Sequence, residues 1–591
     1  MIPAHHDGST RYVADPYPEL GQTVTVWATV PPDVREVHVR STPDGEPHFT
    51  AATRDRTVAG QAWWRAEVAV RNPVTNYRFL LRGGSGGYQW LTALGVVGHD
   101  VPDATDFRLV AHPAPPTWAA DAAVYEIFPD RFARSPAAAD REVPDWAVPC
   151  AWEQPVVGHG PQTPRQFYGG DLDGVTGHLD HIAGLGANTV YLTPVFSARS
   201  NHRYDATTFD RVDPLLGGDA ALHRLADALH RRGMRLIGDI TSNHTGDAHE
   251  WFTGPDRGSL YYWYPDGSYE CWCGHTSLPK LDWGSAGLRR RFAGGADSVV
   301  ARWLSELDGW RVDVANMTGR RGADDHAHTA ARLIADTVRA ARPDALLVAE
   351  HGHDATGDLD TGGWQGTMNY AGFTRPVWTW LRAPELDLPD FLGVPGGVPR
   401  LDGHAVAATM TGFGARMSWR SRTGSWCLLG SHDTARIRTV VGDPDRVEVA
   451  VALMCTLPGT PMVFAGDELG LTGVNGEDAR RPMPWARPDR WDTATLGRYR
   501  SLLALRGAQE ALRHGGLRMA YVDADTLAYW RETAGQRLLV LVRRAPGRPG
   551  AVVPGACGGT NLYGGAPLVP AGDAAVELPA DGPTVQVWAC D

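Results

Sequence analysis

The chain has 591 residues, 43% hydrophobic and 21% charged, with a formal charge of −12; this balance excludes global disorder and leaves material for about three domains. The acidic balance and the lack of any Lys/Arg run speak against a nucleic-acid partner. There is no apolar run of about 18 residues to suggest a membrane partner, and the opening MIPAHHDGSTRY lacks the basic start and apolar core of a signal peptide, so a cytoplasmic location is expected. Seven cysteines are scattered along the chain, and only Cys271 and Cys273 lie close together. That is a weak metal signal, so free thiols are expected.

In chain order, TVTVWATV, EVHVRST, WWRAEVAV and NYRFLLR are short β-favouring runs separated by PP, PDG and RNP turns. They predict an N-terminal β-sandwich over residues 1–118, ending in the proline-rich connector VAHPAPPTW. From residue 122 short apolar strands alternate with helical segments. The clearest strands are VYEIF, TVYLTPVF, RLIGDI, GWRVDVA, LLVAEH, WCLLGSHD and PMVFAGDE. Between them AALHRLADALHRRG and DHAHTAARLIADTVRAARPD have helical spacing and close on Gly or Pro. Seven or eight such units predict an α/β class (β/α)8 TIM barrel over residues 119–511. The strands end in Asp130, Arg131, Asp239, Asp313, Glu350, Asp433, Asp467 and Glu468, which a barrel gathers at one face. The stretch 245–297 is too long for a strand–helix connection and holds the aromatic run SLYYWYPDGSYECWCGH, so a subdomain inserted after the third strand is expected. Its aromatics suit a small core and a sugar-stacking surface equally well. Past residue 511, DTLAYW, RLLVLVRR and TVQVWAC predict a C-terminal antiparallel β-domain over 512–591.

Within the barrel, DGWRVDVANMTG stands out. Side chains alternate on a strand, so Trp310, Val312 and Val314 share one face while Arg311, Asp313 and Ala315 share the other. An isolated Arg-x-Asp on a strand is more often a structural ion pair than a site; its context decides otherwise. Four stretches, DITSNH (239–244), GWRVDVAN (309–316), VAEH (348–351) and LLGSHDTAR (428–436), resemble in order the four main motifs of the α-amylase superfamily of retaining glycoside hydrolases. VYEIFPDRFA, GGDLDGVTGHLDHI and SLPKLDW resemble its accessory motifs. The resemblance runs over about residues 1–545, and the N-terminal β-domain points to the cyclomaltodextrinase, neopullulanase and maltodextrin glucosidase branch. Met317, His351, MNYAGF (368–373) and ALRHGG (511–516) are most similar to maltodextrin glucosidase.

By this resemblance Asp313 is the nucleophile, Glu350 the general acid/base, and Asp433 the carboxylate that holds ring hydroxyls. Retaining hydrolysis places the first two about 5–5.5 Å apart. Arg311 is expected to keep Asp313 ionised while Glu350 holds its proton. His202 and Tyr204 match the sugar-stacking side of the pocket, His244 and His432 the hydroxyl-binding imidazoles, and His351 lies toward the leaving group; Asp239 and Asn243 brace the site. After the eighth strand the family's Asn-Asp-Pro-x-x-Arg becomes Asn475-Gly476-Glu477-Asp478-Ala479-Arg480. Arg480 is retained, but the aspartate position holds Gly476. Either Glu477 or Asp478 swings in as the missing sugar ligand, Asp478 being the one expected, or the non-reducing side of the pocket stands open. Few hard oxygen ligands occur in ARSPAAADREVP, so neither metal nor cofactor is expected. The resemblance implies an α-glucan oligosaccharide substrate and allows a homodimer through the N-terminal domain. It implies an α-glucosidase releasing glucose from short α-1,4-linked maltodextrins. The alternative is a cyclomaltodextrinase or neopullulanase type enzyme acting on cyclic or branched α-glucans, with transfer to sugar as well as to water. A catalytically dead binding module is disfavoured because all three carboxylates are present.

Overall fold

The computed structural model describes residues 2–590 except 59, 85 and 573. At its centre is a closed parallel barrel of eight strands: β1 (Val124–Ile127), β2 (Thr189–Leu192), β3 (Arg235–Thr241), β4 (Gly309–Asp313), β5 (Leu346–His351), β6 (Gly366–Asn369), β7 (Trp426–Leu428) and β8 (Thr460–Phe464). The α/β barrel expected from the alternating pattern is thus present. β6 is the strand that the pattern did not reveal. Its sequence GTMN has no apolar run, and Gly366 admits the backbone of Gly424 where a Cβ would lie 2.1 Å from the carbonyl oxygen.

The helices cover the barrel with faces written in their spacing. Gly218–His230 buries Ala221, Leu222, Leu225, Ala226 and Leu229, and Ala327–Ala341 buries Ala330, Ala331, Ile334 and Val338; both sets recur every three or four residues. Strand alternation then sorts the two barrel surfaces. Trp310 and Val312 of β4 join the large core outside the barrel, whereas Tyr191, Ile237, Val348, Met368 and Trp426 form a separate cluster inside it.

The N-terminal part pairs Thr23–Val30, Gln61–Ala69 and Thr53–Val58 in one antiparallel sheet and builds a six-stranded sheet around Val74–Arg82. Val26, Val39, Val68, Tyr77 and Phe79 fill the space between them. C-terminal to the barrel, Gly516–Val522, Thr526–Glu532, Arg537–Arg543, Thr584–Ala589 and Thr560–Tyr563 form a five-stranded sheet. In the excursion between β3 and β4, Tyr261, Trp263 and Tyr269 pack around Phe252 at ring-centroid distances of 5.0, 5.6 and 4.8 Å. Those aromatics are the insert's own core, whereas Trp272 stands 6.1 Å from His244 at the barrel mouth. Among the described residues no helix is long and apolar enough to cross a membrane.

Candidate active site

The parallel register of β3 and β4 sets Asp239 opposite Arg311 and Thr241 opposite Asp313. Arg311 is fully buried and serves three carboxylates. Its Nη1 donates to Asp239 Oδ2 at 2.9 Å and to Asp313 Oδ1 at 3.0 Å, and Nη2 stands 3.0 Å from Glu350 Oε1. One cation therefore gathers the ends of β3, β4 and β5. The Nη2 contact is an ion pair rather than an aligned hydrogen bond, because Nη2 has no hydrogen-bond partner among the described residues.

The backbone after β4 completes the arrangement. Val314 adopts φ +44°, a left-handed conformation that a β-branched side chain resists at a cost of about 1–3 kcal/mol. In this conformation its N–H donates to Glu350 Oε2 at 2.7 Å. Strain at one residue thus fixes the carboxyl of another.

Around the carboxylates lie the imidazoles and Tyr204. The Tyr204 hydroxyl donates to Asp239 Oδ2 at 3.0 Å and lies 2.7 Å from His432 Nε2. Its ring stacks with His202 at 5.9 Å and with His432 at 5.6 Å. His244 Nε2 is 3.8 Å from Asp313 Oδ2, and both atoms are buried without a hydrogen-bond partner among the described residues. Unpaired buried polar atoms are costly; these two mark where ligand hydroxyls would be accommodated. His432 Nδ1 lies 2.5 Å from Glu126 Oε1, and its Nε2 lies 3.2 Å from Asp433 Oδ2. Arg480 Nη2 donates to Asp433 Oδ1 at 3.0 Å, with Nη1 on Glu477 at 2.9 Å and Nε on the His432 carbonyl at 2.9 Å.

The electrostatics follow from these neighbours. Burial raises the Asp313 carboxyl well above the ordinary carboxylate range, the Glu350 charge pushes the same way, and Arg311 pulls against both. Arg311 was expected to hold Asp313 ionised; shared among three carboxylates, it does not overcome burial. The pocket's desolvation also opposes ionisation of Asp433, but His432, Arg480 and Arg311 outweigh it and hold that carboxyl below its ordinary value. Burial alone would lower His432, yet Asp433 and Glu126 raise it. Burial, with Lys280 and His202 nearby, lowers His244 to about 3 and leaves it a neutral imidazole.

Most of the residues singled out in the sequence therefore converge: Asp313, Glu350, Asp433, Arg311, His202, Tyr204, His244, His432 and Arg480. Two do not. His351 follows Glu350 on β5, so the alternation that turns Glu350 toward the barrel axis turns His351 away, where its Nε2 lies 2.8 Å from Asp358 Oδ2. Asp478 does not replace the missing aspartate. Its carboxylate accepts two hydrogen bonds from Arg481 Nη2, at 2.9 and 2.8 Å, and one from the Val474 N–H at 3.0 Å. Residues Gly476–Ala479 form a helical turn capped by the Asn475 side chain, and that turn directs Asp478 outward. Two supporting residues escaped the sequence reading. Glu126 is an acid in the otherwise apolar VYEI of β1, and Lys280, in SLPKLDW, bonds the Met317 carbonyl at 2.9 Å and the Asn243 side chain. An ionisable residue inside an apolar strand was the available signal for the first.

Beyond Glu350 and Asp433 the pocket opens into a space of about 340 Å³, walled by Tyr370, Leu388, Pro389, Leu392, Val474 and Gly476. Gly476 lies against Asp433, and a Cβ there would meet its carbonyl carbon and oxygen at 2.8 Å and its Cα at 2.9 Å. Gly476→Ala should therefore displace Asp433 and lower kcat/KM on α-glucans by about ten- to a hundredfold, whereas Asp478→Ala should leave it nearly unchanged. Steady-state kinetics of both variants check this. Among the described residues no group of three or more His, Cys, Asp or Glu side chains is placed to hold a metal ion.

A cyclomaltodextrinase of a Bacillus species is 30% identical to this chain over 508 residues, covering 81% of this chain and 84% of the relative. The chain belongs to the α-amylase family. The family model described as "Alpha amylase, catalytic domain" matches residues 126–272 and 401–514 of this α-amylase-family chain. The solved structure of a cyclomaltodextrinase superposes with a TM-score of 0.73 at 25% identity, covering 99% of each chain. A second structure, a cyclic α-maltosyl-(1→6)-maltose hydrolase from Arthrobacter globiformis in complex with that cyclic sugar, has a TM-score of 0.65 at 31% identity and covers 80% of this chain and all of that one. The protein is an α-amylase-family glycoside hydrolase. Its relatives side with the cyclomaltodextrinase reading of the sequence rather than with maltodextrin glucosidase, the nearer match by motif.

Proposed function

We propose that the protein is a retaining hydrolase of cyclic or branched α-glucans, of the cyclomaltodextrinase and neopullulanase type. The observation that carries this reading is the broad space beyond Asp433. Position 476 itself carries no side chain, Asp478 is held by Arg481 and Glu477 by Arg480 at 2.9 Å, and apolar Leu388, Leu392 and Val474 form the wall. A strict exo-acting glucosidase needs a closed non-reducing side; a curved or branched chain needs room there. The names of the relatives point the same way.

Chemically, Asp313 attacks the anomeric carbon while Glu350 gives its proton to the departing glycosidic oxygen, leaving a covalent glycosyl-enzyme. Water then enters, Glu350 takes its proton, and Asp313 is released. Glu350 Oε2 is already tied to the Val314 N–H and Oε1 faces Arg311. These contacts fix where the Glu350 carboxyl points, and the first step requires the proton on Glu350 and the negative charge on Asp313, which Arg311 faces at 3.0 Å. Asp433, kept ionised by His432 and Arg480, is suited to hold ring hydroxyls as charge develops on the sugar.

Product analysis tests the substrate reading. On β-cyclodextrin, pullulan and reducing-end-labelled maltoheptaose, the expected result is faster opening of the cyclic sugar and early maltose or a branched trisaccharide. Early glucose from maltoheptaose with an intact cyclodextrin pool would return the glucosidase reading.

A further inference from the structure

A second cavity, of about 260 Å³, lies where the barrel meets both β-regions, away from the carboxylates. Its walls are mostly apolar: Leu91 and Phe107 from the N-terminal sheets, Phe373 and Met410 from the barrel, and Leu527 and Tyr529 from the C-terminal sheet. The size is just under the roughly 300–1,000 Å³ common for small-molecule sites.

One charged side chain on this wall has no partner in direct contact, the charge of Asp7 acting on it only through space. Arg422, on the short helix Trp419–Gly424, lines the cavity, and its guanidinium makes no hydrogen bond or ion pair among the described residues. It lies against the Trp419 ring, 5.6 Å from Cζ, and against Gly414, where a Cβ would lie 3.1 Å from Cζ. Two buried arginines near it differ. Arg506 donates to the carbonyls of Cys455, Leu512 and Gly459, and Arg531 to those of Thr456, Gly515 and Gly516. Both are held by backbone oxygens that leave their charge in place. Arg108, also on the wall, is paired with Asp360 at 3.1 Å.

Asp7 is the carboxylate on this wall. Its oxygens accept the N–H groups of Ser9 at 2.9 Å and Leu517 at 2.8 Å, with His5 Nε2 at 3.6 Å. Asp7 offsets one charge, and the junction retains an excess of positive charge around an apolar space. Arg422 is half-buried, and a guanidinium without a hydrogen-bonding partner beside an apolar space is suited to receive an anion.

We propose that this cavity is a binding site for a small amphipathic carboxylate, with the carboxylate on Arg422 and a hydrocarbon body among Phe373, Met410 and Tyr529. The site is separate from the sugar pocket but shares a segment with it. Phe373 belongs to the π-helical turn Tyr370–Thr374, and Tyr370 of that turn bonds Ser431 at 2.7 Å beside the carboxylates. Such turns often mark functional positions.

Calorimetric titration of the full chain with octanoate and with octanol tests the assignment. Octanoate should bind at least roughly tenfold more tightly than octanol, and Arg422→Gln should remove that advantage while leaving octanol binding unchanged. Ala407→Trp, which fills the cavity from helix Gly403–Gly414 without replacing the guanidinium, should abolish both; it decides the matter if Arg422→Gln fails to fold. Failure of octanoate to bind the wild-type chain, equal affinity for octanoate and octanol, or undiminished octanoate binding in either folded variant would overturn the proposal.

Discussion

Asp313→Asn is expected to lower kcat on α-glucans by about four orders of magnitude, and Glu350→Gln by about two to four, each with an unchanged melting temperature. Both replacements are nearly isosteric. The amide of the first can still face Arg311 but cannot form the glycosyl bond, and that of the second keeps the Val314 contact but has no proton to give. An α-glucosyl fluoride separates the two roles, because fluoride departs without being protonated. With Glu350→Gln the first step should proceed, and a burst of fluoride equal to the enzyme should precede a stall, since no base remains to activate water. Asp313→Asn should give no burst. The opposite pattern would exchange the roles, and a tenth of wild-type activity in either variant would remove that residue from the chemistry.

The alternation of Trp310, Arg311, Val312 and Asp313 was legible because a strand has a fixed period, and four polar strand ends in motif order implied one face of a barrel. β6 was not legible, since four residues of which only Thr367 is β-branched carry no pattern; Gly366 allows its close approach to Gly424. Side-chain direction was the other gap. Sequence adjacency suggested that His351 and Asp478 reach the pocket, but a residue beside a catalytic one on a strand points the opposite way, and a helical turn capped by Asn475 decides where Asp478 lies. The positive φ of Val314 is invisible in a sequence that has valine there, as is the sharing of Arg311 among three acids. Burial, reinforced by the Glu350 charge, works against the simple expectation for Asp313.

Arg311→Met should disable the enzyme and destabilise it at once, with opposite pH dependences. Removing the guanidinium leaves Asp239, Asp313 and Glu350 facing one another without their shared cation, and breaking a buried ion pair from one side costs about 3–5 kcal/mol. The carboxyls can relieve this by binding protons. Burial already raises Asp239 and Asp313 above their unfolded values, and loss of Arg311 raises them further. A carboxyl with a raised folded pKa binds its proton more tightly in the folded state, so its stabilisation is full below the unfolded pKa and is lost as pH rises through the folded pKa. The melting temperature of the variant should therefore fall, relative to wild type, as pH rises from acid toward neutral. Its residual activity should move the other way, because the nucleophile must be ionised and now needs a higher pH. Arg311→Lys restores a charge but not the fork that reaches β3, β4 and β5 together, so it should recover stability better than rate. A purely structural Arg311 would give a lower melting temperature with a wild-type pH–activity profile, and that pair of measurements would refute its part in setting the nucleophile's charge.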